Sequence, residues 1–380
     1  MAQKRGLLHY WEAVGLLVGT TIGAGVLGIP YVVAKSGLNA GLIDIVALGI
    51  LILLINLYVG ETCLRTKRTH QLAGLAEIYL GKKGKTIMAV IAFLSIVGAL
   101  TAYIIGIGQV FSAILSGSAF VYSIAFFAFG AFMVYFDLYA VKKAELYMNI
   151  FVIGIIIALI AVCFSNFNIN YCFPSKDATF MNLLIPYGVI LFAFVGASAI
   201  PEMEMVLKNN KKKMRSAIIL GTLIPFVLYF LFTIAVIGIT GLGTTEVATI
   251  GLGKYFGQTI ALLGNMFPLF SMSTSFFILG LALKWMFKYD YKLSNTLAWA
   301  LTCFIPLALF LAGANSFIAV IGLTGAITGG MEGIMIILIA KSAKKKGQVK
   351  PAYQFPLPLI LEIVIILLFA IGIAYQFIRF

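Results

Sequence analysis

Two stretches of this sequence concentrate residues that oppose regular structure inside otherwise apolar surroundings. The first is Gly19-Thr20-Thr21-Ile22-Gly23-Ala24-Gly25-Val26-Leu27-Gly28-Ile29-Pro30. The second is Phe192-Ala193-Phe194-Val195-Gly196-Ala197-Ser198-Ala199-Ile200-Pro201-Glu202. Glycine costs backbone entropy in a helix, β-branched threonine crowds the preceding turn, and proline removes a donor. An unwound segment leaves peptide N–H and C=O groups bare. In an apolar medium such groups are costly unless they line a wet cavity or grip a ligand. Half-helix N-termini present N–H groups and a positive dipole end to a carboxylate, and half-helix C-termini present carbonyls to an ammonium or another cation. A zwitterionic α-amino acid matches both. The plainer reading, two proline kinks relieved by packing, leaves the glycines and the similarity of the two stretches unexplained.

Both stretches read glycine, two residues, a small residue, then Ile-Pro, with the prolines 171 residues apart. The elements around them explain that interval. The chain has 380 residues, 62% hydrophobic and 11% charged, with a mean hydropathy of +1.07. So few charges cannot solvate the surface of a water-soluble globule, so lipid is the expected solvent. A membrane-crossing helix needs about 20 apolar residues, and eleven runs qualify: 10–34, 42–64, 86–115, 119–136, 146–164, 183–207, 217–240, 259–283, 295–311, 317–340 and 355–377. The stretches lie in the first and sixth runs. Five crossings separate them, an odd number, so the second copy runs through the membrane in the opposite sense. Interrupted segments at matching places of two inverted halves point to a transporter's binding site. The expected fold is all-α and a single polytopic domain over 1–380. It comprises repeats at 10–164 and 183–340, with helices 1 and 6 broken, and an extra helix 11 at 355–377.

Charge fixes the orientation. All 27 Lys and Arg except Lys35, Lys176, Lys254 and Arg379 fall in segments on one side of this arrangement. The positive-inside rule makes that side cytoplasmic, with the N-terminus inside and the C-terminus outside. The net charge of +14 is thereby accounted for without a nucleic-acid partner. The segment 71–80 reads as a short interfacial helix or an ordered loop under the bundle. Cys163 and Cys172 could meet at the outer end of a hairpin, whereas Cys63 and Cys303 lie apart and no metal-ligand spacing appears. His9 and His70 fall in cytoplasmic segments, and no catalytic constellation can be assembled, so the chain is not expected to be an enzyme.

Polar residues within the runs are candidates for ion coupling. Ser271, Ser273, Thr274 and Ser275 could form an oxygen cage for sodium with carbonyls of the first break, or could simply hydrogen-bond between helices. Glu202 and Glu204 open the inner half of helix 6, where either could carry a proton or favour the helix N-terminus. Glu332 lies deep in the tenth run, as a gating or proton site or as the partner of a polar neighbour. Asp44, Glu61 and Glu362 lie near run ends and are expected to be solvated or snorkelling. Glu12 begins helix 1 at its dipole end.

The stretch Gly19–Gly25, continuing to Pro30, resembles the first-helix motif of the amino acid/auxin permease family and of the bacterial tyrosine and tryptophan permeases, within the amino acid–polyamine–organocation superfamily. Ser273-Thr274-Ser275-Phe276-Phe277-Ile278-Leu279-Gly280, Phe304-Ile305-Pro306-Leu307 and Asn315-Ser316-Phe317 resemble the eighth-, ninth- and tenth-helix stretches. The likeness covers essentially the whole chain. It implies the five-plus-five inverted-repeat fold of sodium-coupled amino acid transporters. It also implies an amino acid held between helices 1, 3, 6 and 8, in a cell membrane. The N–H groups of Gly23, Ala24 and Gly25 would take its carboxylate, and carbonyls near Gly19 and across Phe192, Ala193 and Phe194 its ammonium. Tyr103 would face the site, and aromatics at 103, 192 and 194 would line or gate a side-chain pocket. Relatives that place a lysine in helix 5 use it where others bind sodium, and the run 146–164 contains none.

The expectation is therefore an amino acid permease working by ion-coupled symport and alternating access on a neutral or aromatic substrate. No cofactor is expected beyond a sodium ion or proton as the coupling ion. A channel or ion-only transporter, or a non-transporting amino acid sensor of the same fold, are the alternatives. Oligomeric state is not readable from the sequence.

Overall fold

A computed structural model describes residues 2–136, 140–172 and 180–379. Among them the secondary structure is helical throughout. The helices are α1 (Ala2–Thr21), α2 (Gly25–Ser36), α3 (Leu38–Arg65), α4 (Leu72–Leu115), α5 (Ala119–Tyr135), α6 (Ala140–Ser165), α7 (Phe180–Leu183), α8 (Tyr187–Phe194), α9 (Ile200–Val206), α10 (Met214–Thr240), α11 (Ala248–Trp285), α12 (Asn295–Leu311), α13 (Phe317–Thr324), α14 (Gly330–Lys346) and α15 (Leu359–Arg379). Seven described helical stretches are long and apolar enough to cross a membrane, or eight when the bent pair α1 and α2 is taken as one span. Three shorter apolar helices accompany them, at Ala119–Tyr135, Ile150–Ser165 and Asn295–Leu311.

Both expected breaks are present. α1 and α2 meet at 54°. Ile22 makes the last regular bond, to the Val18 carbonyl, and Gly23 N–H then turns back to Thr21 O at 3.0 Å. Pro30, within α2, cannot supply the N–H that would prolong the ladder. The second break falls at Val195 and Gly196, between α8 and a 3-10 turn at Ala197–Ala199. Val195 is extended, and Pro201 occupies the opening turn of α9, where its missing N–H costs nothing. The four half-helices are paired by packing: α1 lies against α9 and α2 against α8. Helix α10 contacts α1, α2 and α3, and α4 contacts α5, α11, α12, α13 and α14.

The segment expected as an interfacial helix over 71–80 forms the first turns of α4 and ends at Gly81 (φ +78°, ψ −171°). The same device recurs in α11 at Gly257 (φ +78°, ψ 177°). Tyr79-Leu80-Gly81 and Tyr255-Phe256-Gly257 match in sequence as well. Only glycine adopts this conformation without strain.

Two expectations need correction. Glu61 and Glu362 are buried rather than solvated. Glu61 receives Arg65 at 2.8 Å, Lys344 at 3.1 Å and the Phe355 N–H at 2.9 Å, and Glu362 receives Lys341 at 2.6 Å. Asp44 is half-buried, with Oδ2 enclosed and unpartnered. Glu362 is held by Lys341 of α14, and Glu61 is covered by the segment between α14 and α15. That segment lies over the end of α3 through Tyr353 Oη to Leu57 O (2.7 Å) and Tyr58 Oη to Pro356 O (2.9 Å). Burial pushes the Tyr353 phenol pKa well above its usual value. Cys163 and Cys172 are both free and buried, as are Cys63 and Cys303.

Candidate functional site

The two breaks touch. A Cβ built on Gly25 would sit 2.6 Å from Ala193 Cα, and one on Gly196 would sit 2.4 Å from Thr21 Oγ1. A side chain at position 25 would strike the Ala193 backbone and one at 196 the Thr21 hydroxyl, which gives these two glycines a reason beyond flexibility. Thr21 is buried and donates its hydroxyl to Leu17 O at 2.8 Å. The N–H groups of Ala24, Gly25 and Val26 have no acceptor among the described residues, and neither do those of Gly196, Ala197 and Ser198. Such orphan donors at helix starts suit an anion.

A tyrosine outside the expected set ties the breaks together. Tyr229 on α10 is fully buried, and its hydroxyl lies 2.7 Å from Thr21 O and 3.2 Å from Ala193 O. These carbonyls belong to the last turns of α1 and α8, where the breaks end the helical ladder, and Thr21 O also takes the Gly23 N–H. A phenol in an otherwise apolar run needs a partner for its tip, and that was the only trace of it in the sequence.

The remaining expected residues divide by environment. Gly19 is half-buried, Thr20 is exposed, and a Cβ on Gly23 would meet nothing within 4 Å. Ser198 and Glu202 are exposed one turn apart on the second break and α9. Glu204 is buried and engaged, taking Thr69 Oγ1 at 2.6 Å and Lys211. Tyr103 on α4 is buried with its hydroxyl toward Ser275 on α11. Ser271 is buried, Ser273 and Ser275 are half-buried, and the Thr274 hydroxyl is turned onto Phe270 O of its own helix at 2.7 Å. Phe192 lies against Gly325. Phe194 departs from expectation: it is buried against Phe226 and Tyr229 of α10, which removes it from the accessible side of the breaks. Glu332, at the start of α14, lines a small cavity with Asn56, Val195, Gly196 and Ala197. Among the described residues no group of three or more His, Cys, Asp or Glu could hold a metal ion.

On the far side of the breaks the packing is tight. A Cβ on Gly28 would approach Ile318 within 2.7 Å, and one on Gly188 would lie 2.1 Å from Gly322 O. Above this contact Glu246 accepts the Ser316 hydroxyl at 2.8 Å. It also lines two cavities shared with Tyr31.

The arrangement matches a known family along nearly its whole length: the model of the tryptophan/tyrosine permease family covers residues 8–377. The chain belongs to that family. This permease is accordingly a membrane transport protein and not an enzyme. It is 24% identical to glutamine transporter 2 of Aliivibrio fischeri over 324 residues, 82% of this chain and 83% of that one. It is 28% identical to tyrosine-specific transport system 1 of Haemophilus influenzae over 230 residues, 59% of this permease and 56% of that protein. Among solved structures it shares the fold of MhsT, crystallised in complex with L-phenylalanine, with a TM-score of 0.66, 12% identity and 96% of each chain covered.

Proposed function

We propose that this permease is a secondary active transporter that carries a neutral or aromatic amino acid by ion-coupled symport, with the zwitterion held between the two breaks. The observation that carries the reading is the contact of the breaks themselves, clasped by Tyr229, with six N–H groups unpaired beside them. The substrate carboxylate takes the unpaired donors of Ala24 and Gly25, reached past Thr20 and the open face of Gly23, whose own N–H is turned onto Thr21 O. Because Tyr229 already occupies the Thr21 and Ala193 carbonyls, the ammonium falls to carbonyls nearer Gly19 and Phe192. Tyr103 and Ser275 close the opposite wall. Relatives named for glutamine and tyrosine make those two amino acids the first substrates to test.

In this reading the three shorter apolar helices also cross the membrane, giving eleven spans with the N-terminus inside and the C-terminus outside. The paired glycine corners at Gly81 and Gly257 support a five-plus-five inverted repeat. Exposure of Thr20, Ser198 and Glu202, set against the sealed packing of Gly28 and Gly188, favours a state open to the cytoplasm. Permease reconstituted in liposomes should accumulate labelled tyrosine, glutamine or another amino acid under an imposed ion gradient. Failure with all twenty, under both sodium and proton gradients, refutes the reading.

A further inference from the structure

The second break borders a cavity of about 10 Å³, room for a single water, enclosed by α3, the Val195–Ala197 segment and the first turn of α14. Asn56 is buried, and its Nδ2 donates to Thr222 Oγ1 at 3.1 Å, which leaves Oδ1 without a partner. Across the cavity the half-buried Glu332 makes no hydrogen bond or ion pair among the described residues, whereas Glu61, Glu77, Glu204, Glu246 and Glu362 do. Two acceptors thus face one small space, and no lysine, arginine or histidine lines it.

Resting on the symport reading with a proton as the coupling ion, we propose that Glu332 is the residue that carries that proton. Protonated, its carboxyl donates to Asn56 Oδ1, directly or through one water, and satisfies the orphan acceptor. Ionised, it turns to the unpaired N–H groups of Gly196 and Ala197 in the same cavity wall. It then ties down the second break, whose Gly196 packs on Thr21 of the first break, beside the donors that take the substrate carboxylate. Loading the proton therefore frees the break for substrate, and the two bind together. The step forms one O–H bond on the carboxylate on one side of the membrane and breaks it on the other, with no change of oxidation state. The remaining ionisable groups on the helices packed against α14 do not line the cavity. Glu61 is tied to Arg65 and Lys344, Glu362 to Lys341, and Tyr187 faces Gly330. Asp44 on α3 and Tyr103 on α4 are also outside the lining.

The test uses the full-length permease in sodium-free liposomes with labelled L-tyrosine and L-glutamine, comparing counterflow exchange with accumulation driven by an inward proton gradient. The wild type should show both. Glu332→Gln should retain measurable counterflow while gradient-driven accumulation falls at least tenfold and counterflow loses its pH dependence. Asn56→Leu, which removes the acceptor, should show the same loss and serves if Glu332→Gln does not insert. Proton-driven accumulation as in the wild type by either variant would overturn the assignment, as would a wild type that accumulates substrate only under a sodium gradient. Absence of wild-type counterflow with every amino acid would instead overturn the transport reading.

Discussion

The Tyr229 hydroxyl lies 2.7 Å from the carbonyl of Thr21 and so joins α10 to the last residue of α1, at the point where the first span comes apart. With Ala193 O at 3.2 Å from the same oxygen, one phenol fixes the relative position of both breaks. Tyr229→Phe keeps the ring packing on Phe194 and removes only this link. The expected cost is about 1–2 kcal/mol of stability, read as a lowered melting temperature in detergent. A rise in substrate KM larger than the fall in kcat should accompany it, because the breaks lose their registry before they lose their shape.

Gly23 and Gly25 should separate cleanly. Space around Gly23 is open, so Gly23→Leu should insert and melt like the wild type yet lose uptake by filling the substrate side of the break. Gly25→Ala drives a methyl into Ala193, and overpacking of that kind costs about 1–3 kcal/mol. It should lower stability and uptake together. Normal transport by a well-folded Gly23→Leu protein would remove the carboxylate site from this position.

Helix α8 meets α13 and the turn after it backbone against backbone, with Gly188 facing Gly322 O and Gly325 facing Gly188 O. Gly188→Ala should therefore reduce the yield of monodisperse protein more than Gly264→Ala, whose added methyl would make only ordinary contacts of 3.5 Å or more. Size-exclusion profiles of the two variants give the comparison.

Glu61 gathers Arg65, Lys344 and the Phe355 N–H on one buried carboxylate. Glu61→Ala strands two cations and a peptide donor, and should cost about 3 kcal/mol. Thermal unfolding should fall accordingly, whereas Glu77→Ala, whose pair with Lys85 is exposed, should be nearly silent.

Much of this architecture could be read from residues alone, for identifiable reasons. Glycine and proline act on the backbone itself, so the interruptions at Gly23 and Gly196 were legible wherever the side chains pointed. Neighbours were not legible. Position along a run gives depth alone, so Glu61 and Glu362 read as marginal, while the lysines that pair with them and the linker over Glu61 come from other elements of the fold. An aromatic beside a break, as at Phe194, can line a pocket, gate it or pack away from it, and only the packing of α10 decides between them. Tyr229 and Asn56 escaped notice as single polar atoms in long apolar helices, without any local pattern to mark them.

The linker after α14 has a practical consequence. Lys344 of α14 reaches Glu61 on one side of the exposed residues 345–347, and Tyr353, Phe355 and Pro356 clasp Leu57, Glu61 and Tyr58 on the other, so both sides are bound to α3. A trypsin nick after the exposed Lys346 should leave two polypeptides that still co-elute on a native column and part only in denaturant. The covalent continuity of the chain at that point is dispensable to the assembled particle.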